Sequence, residues 1–230
     1  FDEYLMKYAE NKNDTFHEFT QTDYLTYVDG KPRYEGVSSF LHSREIDIPW
    51  GDPGDKPGTE TICGLGNRKN ILFNEVLKRE GTEVYPSTLE LLDELKESGV
   101  ALGVASSSKN CEAILEAVNL SHFFDTRVDG VVMEELGLKG KPEPDIFTKS
   151  CEFLNADPLK SIVVEDASSG VRAGAKGGFG LTVGIARKKN ADELLQAGAD
   201  IVVTDIEEVE GMQGLNAIFS RHYKHKKNAS

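Results

Sequence analysis

From Val84 onward the chain alternates short apolar runs with amphipathic segments, and no other feature restricts its fold as much. The apolar runs fall at residues 100–105, 128–132, 161–165, 181–185 and 201–203, each of strand length. Helix-like segments follow at about 109–118, 144–154, 168–177 and 190–197. A strand joined to the next strand through a helix must run parallel to it, with a right-handed crossover. The expected fold is therefore α/β, a doubly wound parallel sheet flanked by helices. Ahead of the first strand, Ser87 and Glu90 have the spacing of a capping box, and Leu89, Leu91, Leu92 and Leu95 form the stripe expected to be buried.

The first third of the chain reads differently. Phe1, Leu5, Met6 and Ala9 recur at helical spacing, a second segment covers 16–28, and Asp29-Gly30-Lys31-Pro32 stops it as turn residues do. Val37, Phe40 and Leu41 indicate a short helix, and Ile71, Leu72, Val76 and Leu77 another. Between them, residues 49–58 hold three prolines and three glycines and read as a loop. The division expected is a helical domain at 1–82, an α/β core at 83–222 and a basic tail at 223–230.

Ligands of parallel sheets bind at the carboxyl ends of the strands, and two strand ends here carry polar groups suited to that place. Val-Ala-Ser-Ser-Ser-Lys-Asn at 104–110 ends a strand in hydroxyls and opens a helix, whose N-terminal N–H groups suit an anion. Ordinary capping by Ser or Asn accounts equally well for that segment alone. Glu165 and Asp166 follow Ile162-Val163-Val164 and precede Ala-Ser-Ser-Gly, with the glycine at 170. Adjacent carboxylates repel unless a cation joins them, and hard oxygen ligands suit magnesium. The plainer role for Asp166 is to cap the next helix. Lys141, in Gly-Lys-Pro-Glu-Pro-Asp, can neutralise a phosphate as a point charge, with Lys139 as its competitor. Ser106 lies 35 residues before Lys141, and Lys141 lies 25 before Asp166, so the groups belong to separate elements that can converge at one sheet edge.

Several classes are disfavoured. A formal charge of −13 argues against nucleic acid, which is bound by basic surfaces. No apolar stretch approaches the ~20 residues that span a bilayer, so no membrane partner is expected. Cys63, Cys111 and Cys151 show neither paired nor zinc-binding spacing, which suits reduced thiols and a cytoplasmic location. Gly64-Leu65-Gly66-Asn67-Arg68-Lys69 follows a loop rather than a strand and lacks the third glycine of a dinucleotide site. The chain is expected to act as a monomer on a small phosphorylated molecule.

In order, Val-Tyr-Pro-Ser-Thr (84–88), Val-Ala-Ser-Ser-Ser-Lys-Asn (104–110), Lys-Pro-Glu-Pro-Asp-Ile-Phe (141–147) and Val-Val-Glu-Asp-Ala-Ser-Ser-Gly-Val (163–171) resemble the haloacid dehalogenase superfamily, nearest its β-phosphoglucomutase-like branch. The resemblance covers 84–205 and implies a Rossmann-like core, with the first 82 residues as the branch's helical cap. It implies catalytic roles for Ser106, which would hydrogen-bond the transferring phosphoryl group, and for Lys141 as its charge partner. Glu165 and Asp166 would hold magnesium. Arg68 would meet the substrate phosphate, and Ser107, Ser108, Lys109 and Asn110 would line the cleft. The substrate implied is a sugar phosphate or similar metabolite.

The chain departs from that pattern at one place. Family members begin with a strand ending in Asp-x-Asp, whose first Asp is the nucleophile, and that strand lies between those ending at Ser106 and Glu165. No such strand is written in these 230 residues. The expectation is a phosphatase or phosphosugar mutase working through an aspartyl-phosphate, with that segment upstream of Phe1. The competing expectation is a non-catalytic module that binds a phospho-ligand or a partner.

Overall fold

The computed structural model describes residues 1–187 and 189–229. The chain divides into two compact units, Phe1–Gly81 and Thr82–Ser230. The first is helical throughout its regular structure: α1 (Asp2–Lys12), α2 (Gln21–Asp23), a π-helical turn at Tyr24–Val28, α3 (Arg33–Ser43) and α4 (Ile62–Glu80). Phe40 is fully buried at its centre, with the rings of Phe1 and Phe19 4.6 and 4.7 Å from its own. Leu5, Val28, Val37, Leu41, Ile46 and Ile62 complete that core. Thr61 caps α4 by accepting from the Gly64 N–H at 2.9 Å. The apolar spacing of Ile71, Leu72 and Val76 does mark this helix, yet all three are exposed; its buried residues are Ile62, Cys63, Gly64 and Gly66.

The second unit opens with α5 (Pro86–Glu97) and then alternates: β1 (Gly103–Ala105), α6 (Cys111–Ala117), β2 (Thr126–Val128), α7 (Gly130–Leu136), α8 (Asp145–Phe153), β3 (Ile162–Glu165), α9 (Ser168–Lys176), β4 (Leu181–Ile185), α10 (Ala191–Gln196), β5 (Ile201–Val203) and α11 (Gly211–Ala229). Every strand pair is parallel. All five residues of β4 are buried, as a strand covered on both faces requires. Leu181, Val183 and Ile185 pack with Leu91 of α5 and Leu215 of α11. Gly184 approaches Leu194 of α10, whose own core neighbours include Val171 of α9. This layering positions the loops at the strand ends.

Where one sheet was expected, the strands form two, β1-β2 and β3-β4-β5. Strands join only when a partner lies within ~4.8 Å, and among the described residues no segment lies as a strand between β1 and β3. The two sheets nonetheless share a core cluster that contains Val128 of β2 and Val163 of β3, with Ala105 of β1 packed against it.

Three local expectations are corrected. Residues 128–132 are not a strand: β2 ends at Val128, and Asp129 accepts from the N–H groups of Val131 and Val132, starting α7 instead. An N-cap carboxylate outweighs the β preference of two adjacent valines. Helix α5 starts one residue before Ser87, with Tyr85 at the N-cap and Pro86 in the first turn, so the capping box is not used. Finally, α11 runs through the basic stretch set apart as a tail. Lys226 Nζ there donates to Phe179 O at 2.8 Å and to Asp200 at 2.7 Å, which ties the helix down. Residue 230, the last of that stretch, lies outside the described residues.

Leu181→Ala should destabilise the chain by about 2–5 kcal/mol, because a fully buried leucine leaves a cavity that β4 cannot close. Urea unfolding followed by circular dichroism measures this, and a loss below about 1 kcal/mol would contradict the packing described.

Candidate phosphoryl site

Two strand ends and one loop supply the polar groups. At the end of β1, Ser106 N–H donates to Val128 O at 3.0 Å, which lays the 106–110 loop beside the end of β2. Gly130 N–H donates to Ser108 O at 3.2 Å, a second tie. A Cβ on Gly130 would stand 2.8 Å from both Ser107 O and Lys109 N, so only glycine admits the loop here. Within the loop, Ser106 Oγ accepts from Ser108 N–H at 3.2 Å and Ser108 Oγ from Asn110 N–H at 3.1 Å. Those bonds occupy N–H groups that an anion would use, and α6 has only seven residues. The loop therefore presents hydroxyls whose positions its own backbone N–H groups fix.

Asp129, 1% exposed, holds this junction rigid. One carboxylate oxygen caps α7; the other forms an ion pair with Arg127 Nε at 2.9 Å, and Arg127 continues to Glu112 at 2.6 Å. Burial raises the Cys111 thiol pKa above its ordinary value, and the nearby Asp129 charge adds to the effect.

Lys141 is the most enclosed cation of the site, 6% exposed. Its ammonium donates to Glu165 Oε1 and lies 5.0 Å from the centre of the Phe147 ring. The other oxygen, Oε2, accepts the N–H groups of Asp166 and Ala167, each at 3.1 Å. The carboxylate also explains the glycine at 170, where a Cβ would stand 2.2 Å from Glu165 Cδ. Lys141 and Glu165 thus meet as a buried pair, which neither sequence position announced.

The other candidate residues are placed as follows. Ser107 is buried and Ser108 half-buried in the loop. Lys109 pairs with Glu134 of α7 at 2.6 Å. Asn110 stands at the N-cap of α6 without a side-chain cap bond. Asp166 is half-buried, and its carbonyl accepts from Asn190 Nδ2 at 3.3 Å. Arg68 belongs to the first unit, where it pairs with Glu3 at 3.4 Å. Sequence reasoning missed Asp129, Gly130 and Asn190. The Asp-Gly dipeptide was a usable signal for the first two, since it marks a turn or cap. Asn190 carried no signal beyond capping.

Magnesium suits part of this donor set. Among the described residues no three His, Cys, Asp or Glu side chains converge into a closed metal cage, which disfavours a structural zinc site. Magnesium commonly keeps water and substrate oxygens and takes only one or two carboxylates. Both oxygens of Glu165 are engaged by Lys141 and the backbone, so Asp166 is the better placed of the two expected carboxylates.

Glu165→Gln should destabilise the chain by about 3–5 kcal/mol, because it leaves a buried ammonium without its counter-charge. Adding Lys141→Met should recover most of that loss. A double-mutant cycle under urea denaturation measures the coupling, and a coupling near zero would show that the two groups do not share a buried site.

Residues 2–183 match the family model described as haloacid dehalogenase-like hydrolase. A β-phosphoglucomutase of Mycobacterium bovis is 43% identical over 213 residues, covering 91% of this chain and 81% of that protein. A phosphorylated carbohydrates phosphatase of Thermotoga maritima is 33% identical over 178 residues, covering 76% of this chain and 74% of that protein. The crystal structure of a β-phosphoglucomutase from Clostridium difficile has the same fold, with a TM-score of 0.74 at 20% identity over 96% of this chain and 90% of that one. The parallel α/β architecture, the ordered motifs and the match over most of the chain agree: this chain belongs to the haloacid dehalogenase-like hydrolase family.

Proposed function

We propose that this chain carries out magnesium-dependent phosphoryl transfer on a small phosphorylated sugar, as a phosphatase or a phosphosugar mutase. The observation that carries the reading is the buried Lys141–Glu165 pair directly before Asp166, over the core cluster that the β1-β2 and β3-β4-β5 sheets share. Relatives named for both activities support the substrate class.

In this reading the phosphoryl group lies between the 106–110 loop and Lys141. The Ser106 hydroxyl donates to a phosphoryl oxygen, and the loop's internal hydrogen bonds hold it in place. Lys141 places a positive charge beside the oxygens that gain negative charge during transfer. Glu165 fixes that ammonium, while Asp166 provides a carboxylate for magnesium. When bound, magnesium supplies neutralisation of phosphate charge. Ser107, Ser108, Lys109 and Asn110 shape the loop side of the cleft. The nucleophile is an Asp carried outside these 230 residues, on a strand that completes the sheet between β1 and β3. It attacks phosphorus, the sugar oxygen leaves, and an aspartyl-phosphate results. Water or a second sugar hydroxyl then takes the phosphoryl group.

The test compares the 230-residue chain with the same chain preceded by a strand ending in Asp-x-Asp, on a panel of sugar phosphates. Both phosphate release and interconversion of phosphoglucose isomers are followed. The first protein should be inactive and the second active with magnesium. In the active protein, Asp166→Ala should abolish metal-dependent turnover and Lys141→Ala should lower kcat by about 100- to 1000-fold. Lys139→Ala should change it little, since Lys139 is exposed. Turnover by the 230-residue chain alone, or wild-type magnesium dependence in Asp166→Ala, would sink this assignment. Inactivity of both proteins would favour a phospho-ligand-binding module.

A further inference from the structure

Asn190 stands at the N-cap of α10, on the connection that follows β4. An Asn there ordinarily accepts from a free N–H of the helix, yet this side chain makes no such bond. Its Nδ2 donates instead to Asp166 O at 3.3 Å, and its Oδ1 is buried with no hydrogen-bond partner. Reversing the amide would set Oδ1 against the Asp166 carbonyl, two acceptors face to face, so the orientation is fixed. The side chain thus forgoes a stabilising cap and leaves a buried acceptor unpaired, both of which oppose folding. Strand pairing brings the two strand ends together, since Glu165 lies beside Gly184 in the parallel β3-β4 register.

We propose that Asn190 is a positioning residue for Asp166. Glu165 Oε2 holds the N–H groups of Asp166 and Ala167, and Asn190 holds the Asp166 carbonyl. The peptide groups on both sides of the Asp166 Cα are therefore restrained, which sets the direction in which its side chain leaves the backbone. This deepens the proposed function and rests on Asp166 as a metal carboxylate.

The experiment measures Mn2+ binding to the full chain by electron paramagnetic resonance, with Mg2+ competition and thermal unfolding of the same samples. Asn190→Ala and the volume-keeping Asn190→Leu should each weaken Mn2+ binding about 10- to 100-fold, the usual range for residues that orient a metal ligand. Each should lower the unfolding temperature by no more than about 2–4 °C, because one long hydrogen bond to Asp166 O is lost while an unpaired buried acceptor is removed and no cap is lost. Asp166→Ala should abolish binding. Wild-type affinity in both Asn190 variants while Asp166→Ala fails to bind would overturn the role of Asn190 alone. A fall in unfolding temperature well beyond about 2–4 °C that accompanies weaker binding would also overturn it, by showing a structural role. A wild-type chain that binds no Mn2+ would overturn the metal reading of Asp166, and this inference with it.

Discussion

A buried ammonium is tolerable only when a counter-charge and further hydrogen bonds meet it, since removal from water costs several kcal/mol per ion. Lys141 meets that condition through Glu165, and Glu165 meets it through Lys141 and two backbone N–H groups. Neither residue can move without exposing the other's charge to an apolar surrounding that includes Phe147. The pair therefore fixes the 141 loop against the end of β3. Gly170 follows from the same requirement, because the carboxylate occupies the space a side chain would need.

The serine loop depends on a different device. Backbone ties from Val128 and Gly130 seat it on the β2–α7 junction, and the buried Asp129 keeps that junction in shape. Nothing in this arrangement needs a bond between the two sheets. Both are anchored through their apolar faces, where Val128 and Val163 share a cluster with Ile146 and Phe147. Burial of apolar surface is non-directional, so it can hold two sheet fragments together where the hydrogen-bond ladder is interrupted.

Much of this was legible in the sequence, for identifiable reasons. Strands β4 and β5 had their expected bounds because continuous apolar runs between turn residues leave little choice. The 165–166 acids were placed at a strand end by the Val-rich run before them. Local reading failed where polar groups decided the outcome. Val131 and Val132 read as strand until the Asp129 carboxylate took their N–H groups. The contact between Glu165 and Lys141 was not legible either, because a sequence cannot show that two residues 24 apart meet. The exposed Ile71 and Leu72 show the limit of periodicity, which identifies a helix but not what covers its apolar face.

That the 106–110 loop, Lys141 and Asp166 serve one phosphoryl site is tested most directly by titrating the isotope-labelled 230-residue chain with inorganic phosphate and magnesium together. Amide chemical shifts report each position separately. Concerted, saturable shifts at Ser106, Ser108, Lys141 and Asp166 with a single apparent affinity are expected. Shifts at those positions with unrelated affinities, or saturable shifts confined to other residues, would contradict a shared site.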